Sequence, residues 1–74
     1  MTQREQILEY IKEHGSITPM DAFYRYNITK LATRISEMRR MGINFIKVME
    51  TKSHEDGRTV RYMRYYLDEE GQNG

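Results

Sequence analysis

Two runs of helical periodicity in this chain are separated by almost nothing, and that interval constrains the fold more than any other feature. Thr18-Pro19-Met20-Asp21 opens the first run. Thr18 is a capping residue, Pro19 has the backbone suited to the first helical position, and Asp21 stands where it can reciprocate the cap. Met20, Phe23 and Tyr26 fall on one face, and Ala22 is small enough for a close helix crossing. Asn27 tolerates a left-handed backbone and ends the run within about two turns. Only Ile28 and Thr29 then precede Leu31, Ala32, Ile35 and Met38, which share one side of a further helix with the aliphatic stem of Arg39 and stop at Gly42. Thr29 is the expected cap. A connector this short leaves no slack for an antiparallel return, so the two helices must cross steeply around a tight turn.

The flanking segments complete the pattern. Thr2 and Glu5 form a capping box, and Ile7, Leu8 and Ile11 recur at helical spacing among Glu9, Lys12 and Glu13. His14 suits the negative end of that helix and Gly15 its left-handed exit. The spacing predicts helices over 3–14, 19–26 and 30–41. Ser16-Ile17 is too short for a helix and is expected to make a brief extended pairing. Beyond Gly42 the period becomes two: residues 44–50 and 60–67 are rich in strand formers, and Asp56-Gly57 between them is a strong hairpin-turn dipeptide. The expected core is Ile7, Leu8, Ile11, Met20, Phe23, Ile28, Leu31, Ile35, Met38, Ile46, Val48 and Leu67. Tyr62, Tyr65 and Tyr66 read as core or cross-strand packing rather than base-stacking platforms. The fold class is therefore α+β: three helices followed by a two-stranded antiparallel hairpin, in one domain over 1–67 with an exposed acidic tail over 68–74.

At 74 residues there is room for one small core. The absence of cysteine excludes disulfides and thiolate metal sites. No stretch approaches the roughly 20 apolar residues of a membrane span, and the opening MTQREQ lacks the apolar run of a signal peptide. The expectation is a cytoplasmic protein without a membrane partner. His54-Glu55-Asp56 is far more readily a polar turn than a metal site, which needs three or four convergent ligands. No phosphate loop, zinc-helix motif or nucleophile elbow occurs. The chain is expected to be no enzyme and to need no cofactor.

The net charge is only +1, but it is unevenly spread. Residues 25–64 hold ten Lys or Arg against four acids, a balance of +6, while residues 1–24 carry −2 and the tail −3. A basic middle between acidic ends can present one positive face to a polyanion.

The runs Thr2–Gly15, Ser16–Ala22, Ile28–Met38 with Gly42, and Arg61–Leu67 resemble small winged helix-turn-helix proteins common in bacteriophages and prophages. The most specific parts are the Ile17-Thr18-Pro19 entry to the second helix and Leu31-Ala32-x-Arg34-Ile35-Ser36-Glu37 in the third. The bulky Met41 and Met63 depart from the family's pattern. The resemblance covers about residues 2–67 and implies binding to double-stranded DNA.

In such a fold the third helix reads the major groove, and the hairpin, or wing, lies on the backbone or minor groove. The face opposite Leu31, Ile35 and Met38 carries Thr29, Lys30, Thr33, Ser36, Glu37 and Arg40, with Arg34 on its flank. Thr33 suits a base edge or a thymine methyl, Arg34 or Lys30 suits guanine acceptors, and Lys30 and Arg40 equally suit phosphates. In the wing, taken as 52–59, Lys52, Arg58 and Arg61 flank the turn and can straddle the minor groove, whereas Glu55 and Asp56 oppose deep insertion. The same charges also serve a hairpin that only needs solubility and edge protection. The competing reading is a winged helix that docks onto a host protein. A homodimer or tandem binding is expected on DNA, because one module offers a short footprint.

Overall fold

The structure, a computed structural model, describes residues 1–69. Its order is α1 (Gln3–His14), α2 (Pro19–Tyr26), α3 (Leu31–Arg40), β1 (Phe45–Ser53) and β2 (Thr59–Leu67). The three helices and the antiparallel hairpin stand where the periodicity puts them.

The helix ends are built as the sequence prescribes, with one exception. Thr2 and Thr18 both complete their capping boxes, with Glu5 and Asp21 accepting from the capping residues' own N–H groups. α2 ends at Asn27 in the left-handed region (φ 59°), and Asn27 N–H donates to the Phe23 carbonyl at 2.8 Å. α3 ends in a paired exit. Gly42 (φ 97°) donates to the Arg39 carbonyl and Ile43 to the Met38 carbonyl, at 3.1 and 3.0 Å, satisfying carbonyls the helix leaves open. The exception is Thr29. The residue at the α3 cap is Lys30, whose side chain makes no capping bond, so the turn after Asn27 is held by backbone and by burial of Ile28 instead.

The core gathers Ile7 and Ile11 of α1, Ile17, Ala22 of α2, Ile28, Leu31, Ile35 and Met38 of α3, and Phe45 and Tyr65 of the hairpin. Leu8, Tyr10, Tyr26, Ile43, Met63 and Leu67 pack around it half-buried. Four residues expected inside are outside: Met20, Phe23, Ile46 and Val48 keep 60%, 47%, 48% and 40% exposure. In α2 the close crossing at fully buried Ala22 turns Met20 and Phe23 away. In β1 the phase is shifted by one residue. Phe45 pairs with Leu67, Lys47 with Tyr65 and Met49 with Met63; on this face Phe45, Tyr65, Met63 and Leu67 meet the core, Lys47 and Met49 stay exposed, and Ile46 and Val48 lie on the other face.

Ile17 exchanges two 2.9 Å backbone bonds with Tyr65, so the brief pairing after α1 is a single isolated bridge on the far side of β2. Beside this bridge Arg64 spans the sheet. Its Nε donates to Glu50 and its Nη1 to the Ser16 hydroxyl, both at 2.9 Å. Asp68 N–H still bonds the Asn44 carbonyl, one residue beyond the expected domain limit. Residues 70–74 of the expected acidic tail lie outside the described residues.

Candidate nucleic-acid interface

The outward side of α3 is set by what its other side buries. With Leu31, Ile35 and Met38 facing the core, the 100° step of the helix directs Thr33, Ser36 and Arg40 away from it. All three are exposed, as are Thr29 and Lys30 in the turn before the helix. Arg39, whose stem was expected along the apolar side, is exposed as well and adds a cation beside Arg40. Lys30, Arg39 and Arg40 form no ion pair among the described residues.

Arg34 and Glu37 behave differently. Arg34 Nη1 lies 3.4 Å from Glu37 Oε1, an i, i+3 pair whose side chains keep 30% and 34% exposure. Arg34 is therefore half-sunk in the flank of the helix and already holds a carboxylate.

The hairpin is longer than the sequence reading allowed. β1 runs to Ser53, so Lys52 lies within the ladder and the turn itself is 54–58. His54 N–H donates to the Arg58 carbonyl and Gly57 N–H to the His54 carbonyl, with Gly57 in the left-handed region at φ 87°. Arg58 is tied back inside this turn: its Nε lies 2.6 Å from Asp56 Oδ2, and its N–H donates to Oδ1. Lys52 pairs with Val60 and Thr51 with Arg61, which puts Lys52 and Arg61 on opposite faces of the ribbon. Both are exposed and form no ion pair among the described residues. A cleft of about 450 Å³ separates the hairpin from the start of α2, lined by Thr18, Met20, Lys52, Val60, Tyr62 and Arg64.

A family model described as a winged helix-turn-helix domain matches residues 2–70. The chain belongs to that family. Neither the curated proteins nor the solved structures gave a match. A winged helix-turn-helix domain points to DNA as the partner and to binding rather than catalysis. No helix of this one is long and apolar enough to cross a membrane. Among the described residues, no three His, Asp or Glu side chains converge as metal ligands.

The winged helix-turn-helix domain thus leaves four of the nine sequence-predicted residues exposed and, among the described residues, without an ion pair on or beside α3: Thr29, Lys30, Thr33 and Arg40. Lys52 and Arg61 are in the same state on the hairpin. Arg34, Glu37 and Arg58 are engaged in ion pairs. Arg39 was missed because its position reads equally as helix flank or core edge. The i, i+3 spacing of Arg34 and Glu37 carried the signal for their pairing.

Proposed function

We propose that this domain is a double-stranded-DNA-binding regulator or accessory factor, with α3 in the major groove and the hairpin on the backbone or minor groove. The observation that carries this reading is a group of exposed cations without carboxylate partners among the described residues, including Lys30 at the start of α3, Arg39 and Arg40 on it, and Lys52 and Arg61 on the hairpin. An unpaired cation can neutralise a phosphate without first giving up a protein partner, which favours a polyanion. Thr33 and Ser36 supply short polar groups of the kind that touch base edges from a recognition helix. The phage-type resemblance supports a cytoplasmic factor working in a bacterial host cell.

The reading is tested by affinity for a random duplex across a salt series. Log affinity falls linearly with log salt, and removing one phosphate-gripping cation, as in Lys52→Ala or Arg40→Ala, flattens the slope by about 0.9. Parent and variants with equal, salt-insensitive affinity overturn it and leave a protein partner as the target of these charges. A single module covers a short footprint, so two protomers are expected on each specific site. Sedimentation on a defined duplex counts them, and saturation at one protomer refutes the pairing.

A further inference from the structure

The only carboxylate in α3 stands near the side expected to meet DNA, where repulsion from phosphates makes it costly. With Leu31, Ile35 and Met38 pointing inward, the 100° step puts Glu37 roughly 50–60° from the outward direction and Arg34 roughly 110° from it. Arg34 is rooted accordingly. Its Nε is buried and has no hydrogen-bond partner among the described residues, while its Nη1 holds Glu37 Oε1 at 3.4 Å. For Arg34 to reach a base it must leave this seat and release Glu37. Glu37 needs no such movement, because Arg34 fixes one carboxylate oxygen and the other has no partner among the described residues.

A carboxylate can only accept, and in the major groove the donors are the exocyclic amino groups of cytosine and adenine. Adenine sets its N7 acceptor beside that donor, which repels a carboxylate. Cytosine has no ring acceptor there. We propose that Glu37 is a specificity-determining residue that accepts from the N4 amino group of one cytosine, and that Arg34 is its positioning residue rather than a reader of guanine. This rests on the proposed DNA-binding reading, with α3 in the major groove.

Selection from random duplexes, run in parallel on the parent, Glu37→Gln, Glu37→Ala, Arg34→Ala and Arg34→Lys, tests the assignment. The parent is expected to demand cytosine at one position by roughly 5- to 150-fold. Glu37→Ala loses that demand while its affinity for unrelated duplexes rises at the same salt, because a phosphate-repelling charge has gone. Glu37→Gln, nearly isosteric and therefore folded, moves the preference at that position toward adenine, which an amide can read bidentately. Arg34→Ala weakens preference at the same position only, and Arg34→Lys restores part of it. Cytosine preference intact in Glu37→Ala and Glu37→Gln overturns the proposal, as does Arg34→Ala relaxing a guanine at a different position. A parent that binds no duplex overturns the DNA reading and this assignment together, whereas a parent that binds selectively without a cytosine requirement overturns this assignment alone.

Discussion

Single side chains at the junction of α1 and α2 carry more than their own caps. Asp21 accepts from Thr18 N–H at 3.0 Å and Thr18 Oγ1 accepts from Asp21 N–H at 3.1 Å. The Asp21 carboxylate also acts on the Tyr10 hydroxyl of α1, whose pKa is raised by burial and then by this charge. Thr18→Ala is expected to cost about 1 kcal/mol in urea unfolding, the ordinary worth of an N-cap. Asp21→Ala is expected to cost a similar amount, since it removes the other half of the same capping box. Glu50 gives a pH signature. Hydrogen bonds from Arg64, and then Tyr62, favour its ionised form and hold its pKa below the ordinary 4.5. Its contribution to stability is therefore present above the ordinary value and lost as pH falls through the lowered one. The melting-temperature gap between the parent and Glu50→Gln is expected to close as pH drops below about 4.5, which thermal scans at several pH values check. These caps were legible because a capping box is a local pattern. The Arg64–Glu50–Ser16 link was not, because it joins residues 14 and 48 positions from Arg64.

Elements were legible by type and nearly by extent, but their rotation was not. A strand's alternation is visible in sequence, yet its phase depends on which face meets the core. Ile46 and Val48 are strong strand formers, and their phase avoids Lys47, so they looked like the inner set. The winning phase buries Phe45 and Tyr65, and Lys47 lies at the exposed margin opposite Tyr65. Burial also raises the Tyr65 pKa. Phe45→Ala is accordingly expected to cost ~3–5 kcal/mol and Val48→Thr within roughly 1 kcal/mol, both read from denaturant midpoints. Equal losses at the two positions refute the observed phase. α2 was misjudged for a related reason. Periodicity gave Met20, Phe23 and Tyr26 one stripe, but only docking on α1 decides which edge of a stripe is covered, and Ala22 with Tyr26 took that place. The outward face of α3 was readable because three large residues fix its inner side without ambiguity.

At the scale of the whole molecule the shape is long, with extents of 45 × 25 × 21 Å. The hairpin supplies much of that length, since nine residues of strand rise about 30 Å. It is attached at its root, through Phe45, Met63, Tyr65 and Leu67, the Ile17 bridge and the Arg64–Ser16 hydrogen bond, while every residue from Thr51 to Arg61 is exposed. Backbone amides in 50–53 and 59–61 are therefore expected to exchange with deuterium faster than those in 64–67, as mass spectrometry of peptides from the two zones can record. Uniform protection along the ribbon contradicts that. Mechanically the hairpin is a cantilever clamped at one end. A 10° deflection at the clamp sweeps a free length of ~16 Å through on the order of 3 Å at the tip. Travel of that size lets the tip follow a surface of varying width while the helical core stays still, and it puts control of the tip's reach in the stiffness of the clamp at Ile17 and Tyr65, far from the charges the tip displays.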